Sequence, residues 1–190
     1  MMGNKVIEQI VNPFIRIAGM KALGWGVLGL AVSTWICWIS GYHYHGLLHF
    51  GPAPNPAWWC YLAEHLIVWL IPALLFYLGG LFLSHSRIRI VDVLGTVLFA
   101  QLPLLVMNLI SLLPPMRMLS QMDMNMSPEK LLAQPYFLQA VVLSLLGLPF
   151  LIVMLVWMFN ALKVSCNLKS WQLWTVALVG IIGGDVLCRI

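Results

Sequence analysis

Six polar side chains lie in or beside long apolar runs of this chain and are expected to converge as one polar cluster toward the same side: Glu64, His65, Asn108, Gln139, Asp185 and Arg189. Charged groups surrounded by hydrocarbon pair with one another, or mark an ion or substrate path, because an isolated one is costly there. Asp185 and Arg189 are four residues apart, a spacing that puts an acid and a base on one helix face within reach of each other. Of the six, Asp185 is the expected buried partner, and Asp185→Leu is expected to disturb the protein more than Glu64→Leu. Glu64, His65 and Arg189 sit near enough to the ends of their runs for structural anchoring at the headgroups. His43, His45 and His49 form an HxHxxxH spacing, and imidazoles are good ligands for transition metals. A zinc site needs about three or four ligands at set geometry, and no HExxH helix or cysteine pair supplies the remainder. These residues therefore read as loop histidines among interface aromatics, and no cofactor is expected. The turn Ser84–Asp92 holds His85, Arg87, Arg89 and Asp92, where an acid at a helix start complements the helix dipole and can pair with either arginine. It is a structural clasp or a contact point for a partner. No serine nucleophile with a recognisable histidine and acid, no phosphate-cradling glycine loop and no paired intramembrane carboxylates stand at informative spacing, so no enzyme is expected.

The elements that must position these residues follow from composition. Hydrophobic residues make up 62% of the 190 positions and charged residues 8%, with a mean hydropathy of +0.94. A water-soluble surface cannot be built from so few charges. A helix needs roughly 20 apolar residues to cross about 30 Å of hydrocarbon, where any unpaired backbone group costs several kcal/mol. The runs predict five crossings, at Ala22–Ser40, Leu62–Leu83, Val91–Leu113, Phe137–Asn160 and Trp171–Ile190. The expected fold is an all-α, five-helix membrane bundle forming a single domain over residues 1–190, with 1–21 as a cytoplasmic or interfacial segment. The first run is full length and lacks a small-residue cleavage site, so no signal peptide is expected.

Basic residues near span ends resist translocation and so orient the chain. With the N-terminus inside, Lys5, Arg16, Lys21, Arg87, Arg89, Lys163 and Lys169 fall inside, against Arg117, Lys130 and Arg189 outside. That predicts N-in, C-out, and anionic headgroups account for the net charge of +4 without any nucleic acid. Before the first span, Val6, Ile7, Ile10, Val11, Phe14 and Ile15 recur at helical spacing, which predicts a short interfacial helix, bent or ended by Pro13, or else packing beneath the bundle. The first outer loop, Gly41–Tyr61, ends in Trp58, Trp59 and Tyr61, an expected headgroup anchor. The second, Pro114–Tyr136, reads as a partly extended cap.

Pro72, Pro103 and Pro149 fall mid-span, where each removes a backbone donor and kinks its helix. Kinked spans can frame a cavity, though many have no transport role. Ala22, Gly26, Gly29 and Ser33 on the first span, and Ala177, Gly180 and Gly184 on the last, form small-residue faces that let helices approach closely. Their partner is another helix of the chain or a second copy; the same chain is the preferred reading. Cys37, Cys60, Cys166 and Cys188 have no CxxC spacing and read as packed thiols, with Cys60 and Cys188 near one face.

Asn12-Pro13-Phe14 before the first span, the aromatic loop, the segment Arg87-Ile88-Arg89-Ile90-Val91-Asp92-Val93-Leu94-Gly95-Thr96 and the glycine-rich last span are arranged as in a known family. Over almost its whole length the chain resembles the Ypt-interacting-protein (YIP) family of five-span membrane proteins. The resemblance implies a cytoplasmic N-terminus and a C-terminus on the far side. Eukaryotic members are implicated in Rab-GTPase binding through a long N-terminal region, reduced here to Met1–Lys21, which argues against GTPase binding. The compact form is similar to prokaryotic members of the inner membrane. It implies an architecture and a role in membrane organisation, and transfers no functional residue. The expected function is that of a non-enzymatic membrane protein that binds lipid or protein partners. The alternative is a small transporter or channel component with a polar cavity on its outer side.

Overall fold

A computed structural model describes residues 8–52, 56–122 and 126–189. The chain is an all-α bundle containing five helices long and apolar enough to cross a membrane. They are α1 (Gly19–Ser40), α2 (Trp58–Leu83), a third span divided into α3 (Ile90–Ala100) and α4 (Leu104–Ser111), α7 (Phe137–Cys166), and a last span made of α8 (Ser170–Leu178), a π-helical turn and α9 (Gly184–Cys188). Several ends run past the expected ones, α7 by most, because a helix continues until a residue stops it. Gly41 stops α1 at φ 73° and Asn167 stops α7 at φ 49°, both in left-handed conformations that close a helix C-terminus. Loss of hydropathy alone does not end a helix.

The bundle is apolar on the outside. Trp25, Trp35, Leu78, Leu145, Leu146, Ile152 and Ile182 are exposed, and Phe82 is 84% exposed, while alanines and glycines lie within. Helices that are apolar all round suit a lipid surround. At the centre runs α3, with Val93 and Gly95–Ala100 buried, and α1, α2 and α7 pack around it. The small-residue face of α1 is what admits α3 and α4: a β-carbon on Gly26 would lie 2.6 Å from Leu98, and one on Gly29 would overlap Leu102. Gly180 and Gly184 meet Phe76 and Pro72 of α2 in the same way. Both faces are therefore occupied by helices of the same chain.

The three mid-span prolines behave differently. Pro72 and Pro149 sit inside continuous helices, whereas at Pro103 the ladder changes to tighter bonds, Gln101 N–H to Leu98 O at 3.2 Å and Leu102 N–H to Phe99 O at 3.1 Å. The last span carries a π turn at Val179–Gly183.

Four further expectations are corrected or narrowed. The loop after α1 is no loose aromatic anchor: β1 (Tyr42–Tyr44) pairs antiparallel with β2 (Phe50–Pro52), and Tyr42, His43, Tyr44 and Leu47 are buried on the bundle. Trp58 and Trp59 stay exposed as anchors should, but Tyr61 is core. The second cap is helical, with α5 (Pro114–Ser120) and α6 (Pro128–Leu132) each begun by a proline that is pre-set for a first turn. At the N-terminus, residues 8–11 are helical and Pro13–Ile15 form a 3-10 turn, while Lys5, Val6 and Ile7 lie outside the described residues. Phe14 is 2% exposed, set edge-on to Phe99 and Trp157, and Trp157 and Asn160 donate to the carbonyls of Ile10 and Val11. This segment is fastened beneath the bundle through Phe14, while Ile10, Val11 and Ile15 point away from it.

Candidate polar site beneath the hairpin

Because consecutive spans run in opposite directions, Ser40, Trp58, Ser111, Phe137 and Cys188 gather at the end that carries the hairpin. At 1.5 Å per residue, Ser33–Ser40 on α1 and Trp58–His65 on α2 each place their inner residue roughly 10 Å below that end. Equal depth on neighbouring helices lets them meet. Ser33 Oγ lies 2.7 Å from His65 Nε2, and His65 Nδ1 lies 2.7 Å from the Tyr61 carbonyl oxygen. A carbonyl only accepts, so Nδ1 carries the proton, Nε2 presents its lone pair, and the Ser33 hydroxyl donates to it. Asn108 of α4 donates from Nδ2 to Ser33 Oγ, and its Oδ1 accepts the Tyr44 hydroxyl at 2.8 Å. Cys37, one turn beyond Ser33, has its sulfur 4.0 Å from His65 Nε2. Every bond in this chain has a defined donor, which is what a buried polar group requires. Burial raises the Tyr44 phenol well above its ordinary pKa, opposed by the Asn108 bond, so it stays a donor.

The other polar groups attach the hairpin. On one side His43 Nδ1 and Glu64 Oε1 are 2.7 Å apart, with His43 Nε2 and Glu64 Oε2 buried without a hydrogen-bond partner among the described residues. On the other side, Asp185 accepts the Leu48 N–H at 2.8 Å through Oδ1 and pairs with Arg189 through Oδ2. Arg189 also donates to His49 Nδ1 at 2.8 Å. Gly46 makes room for this, since a β-carbon there would stand 2.7 Å from Asp185 Oδ1. Tyr42 donates to the Met116 carbonyl at 3.0 Å, and burial pushes its phenol up to about 12.

The six intramembrane polar residues thus resolve into three local groups instead of one. His65 and Asn108 join through Ser33, Glu64 joins His43, and Asp185 joins Arg189, whereas Gln139 is exposed on α7 apart from them. His43, His45 and His49 do not share a ligand point: His43 is turned to Glu64, His49 to Arg189, and His45 packs edge-on against His43. No three His, Cys, Asp or Glu side chains among the described residues are placed to hold a metal ion. At the opposite end, Arg89 Nε lies 3.9 Å from Asp92 Oδ2 with the arginine 78% exposed, and Arg87 is exposed. An ion pair that wet contributes about 0–1 kcal/mol. The four cysteines are free.

Two members escaped the sequence reading. Ser33 was visible only as a small packing residue, and Tyr44 only as an interface aromatic. The signal that finds Ser33 is depth, since it and His65 stand equally far from the same end of adjacent antiparallel helices. The pairing makes a checkable demand. Tyr44→Phe leaves Asn108 Oδ1 buried and unpaired, an expected cost of about 1–2 kcal/mol. Asn108→Leu in the same chain should remove part of that penalty, so unfolding of the two single variants and the double variant in detergent should show a coupling of about 1 kcal/mol. Strict additivity would mean that the 2.8 Å contact carries no energy.

No family model matches the chain, no curated protein matches it, and no solved structure matches it.

Proposed function

We propose that the chain is a membrane-organising protein of the YIP type, oriented N-in and C-out in a bacterial inner membrane, that holds anionic lipid headgroups or an acidic partner at its basic end. One observation carries this reading. Arg16, Lys21, Arg87, Arg89, Lys163 and Lys169 are all exposed at the end away from the hairpin, where they face only Glu8 and Asp92 among the described acids. Each basic side chain at an anionic surface contributes about 1 kcal/mol, so several together retain lipid without a pocket. The Phe14 anchor keeps Arg16 within the same ring. The resemblance to the YIP family supports the role and orientation.

The test is copurification in mild detergent, with bound lipid and companion proteins identified by mass spectrometry. Anionic phospholipid should be enriched over its share of the membrane. The combined change Arg87→Glu, Arg89→Glu, Lys163→Glu and Lys169→Glu should abolish the enrichment. Retention of the same lipid and companions by that variant would defeat the proposal. Labelling of cysteines placed at Glu64, Gln139 and Asp185 by water-soluble reagents would favour the transporter instead, because it requires those positions to line a wet path.

A further inference from the structure

The group around Ser33 contains more than packing requires. Ser33 Oγ is held 2.7 Å from a histidine nitrogen whose tautomer is set by the Tyr61 carbonyl, the arrangement in which an imidazole can take a hydroxyl proton. Asn108 presents an N–H to the same oxygen, and while the hairpin is down Tyr44 holds its Oδ1. Nucleophile, base, base-orienting acceptor and a directed donor thus converge from α1, α2 and α4. Ser33 and His65, with Tyr44, border a cavity of about 20 Å³, room for roughly one water. Its polar wall is Ser33, His65, Tyr44 and Gln101, and its other wall is apolar, glycine and leucine with Val68. Tyr44 belongs to the hairpin, so the hairpin is one wall of the cavity.

Beyond its role at the basic end, and independently of it, we propose that Ser33 and His65 form a nucleophile–base pair that cleaves a lipid acyl ester, with the β1–β2 hairpin as its lid. The division of the walls selects the substrate class, because an ester carbonyl suits the Ser33 side while its acyl chain suits the apolar side at Leu30, Val68 and Leu105, Gly26 and Gly29 being already filled by Leu98 and Leu102. Lifting the hairpin breaks the His43–Glu64 and Leu48–Asp185 contacts and withdraws Tyr44, which enlarges the cavity from the hairpin end. Ser33 Oγ then bonds to the acyl carbon while its proton passes to His65 Nε2. Asn108 Nδ2, freed from Ser33, donates to the carbonyl oxygen as it gains negative charge. When that oxygen's electrons return, the ester C–O bond breaks and the departing alkoxide takes the proton from His65. Water, deprotonated by the same nitrogen, releases the acyl group as a carboxylic acid and restores Ser33. The sum is ester plus water to acid plus alcohol.

The experiment uses the full chain in mild detergent with a long-chain alkyl fluorophosphonate, the modified serine being located by mass spectrometry. The expected adduct is on Ser33 in preference to Ser144 and Ser165. His65→Gln should slow its formation at least 100-fold, and Glu64→Ala, which loosens the lid, should accelerate it several-fold. Release of fatty acid from a long-chain acyl ester should fall at least 100-fold in Ser33→Ala. If the folded wild-type protein gives no Ser33 adduct, or labels no faster than after denaturation, the proposal fails even where a variant does not fold. An adduct whose rate ignores His65→Gln in a protein of unchanged melting midpoint also overturns it, as does ester release that ignores Ser33→Ala.

Discussion

Asp185→Leu is expected to lower the melting midpoint of the detergent-solubilised protein by roughly 5–10 °C, equivalent to about 2–3 kcal/mol for a chain of this size. Asp185 has a side chain only 6% exposed and serves two masters, the Leu48 amide through Oδ1 and Arg189 through Oδ2. Leucine can satisfy neither. The Leu48 N–H would be left without its acceptor, which costs about 1–3 kcal/mol when buried. Arg189, at 46% exposure, can turn to headgroups or water, so its loss of a partner adds little. Asp185→Asn keeps an acceptor for Leu48 and should fall between the two.

The comparison with Glu64 gives this prediction its edge. Glu64 is 24% exposed and, among the described residues, makes one bond, to His43, with no partner there for its second oxygen. Glu64→Leu removes an imperfect contact and is expected to cost about 1 kcal/mol. Thermal unfolding of both variants, followed by the same probe, decides the matter. An equal or larger loss for Glu64→Leu would mean that the hairpin is held from the α2 side.

Gly95→Val should destabilise by about 3 kcal/mol or more, enough to lose much of the folded population in detergent. Its reason lies in backbone, which cannot step aside as a side chain can. A β-carbon at position 95 would sit 2.6 Å from the Gly19 carbonyl oxygen and 2.9 Å from the Leu23 nitrogen, both on α1. Admitting it pushes α1 away from α3, and with it the contacts at Gly26 and Gly29 further along. In a bilayer no hydrophobic force restores that approach, since lipid tails are as apolar as the helix they replace. Gly24→Val on α1 is the matched control, because nothing stands within 4 Å of its added β-carbon. It should change stability by less than about 1 kcal/mol. Similar losses at the two positions would show that helix propensity matters here and close packing does not.

The small-residue faces show how far reading could go. Ala22, Gly26, Gly29 and Ser33 were legible as a contact face from their spacing alone, since missing side chains have few uses in a lipid-facing helix. That the contact is α3 and α4, and that Gly180 takes Phe76, was not legible, because any of four other helices could satisfy the same spacing. The hairpin was hidden for a different reason. Tyr42-His43-Tyr44 and Phe50-Gly51-Pro52 are each three residues long, too short to set a period, and histidine and tyrosine serve an interface as readily as a strand.

What the residue order settled unaided is the number and approximate placement of the five helices long enough to cross a membrane. Run length and the absence of charge are properties of a single segment, and hydrocarbon leaves the backbone no alternative to helix. It also set the depth of each polar side chain along its own helix, and so the chance that Ser33, His65 and Asn108 could meet. Which of them do meet was a matter of tertiary structure. Rotation and neighbour choice depend on how ridges and glycines of separate helices fit, and on a hairpin folding back over them. For that reason Gln139 stands apart, Glu64 and His65 part company though adjacent in sequence, and a serine read as a packing residue lies hydrogen-bonded to a histidine.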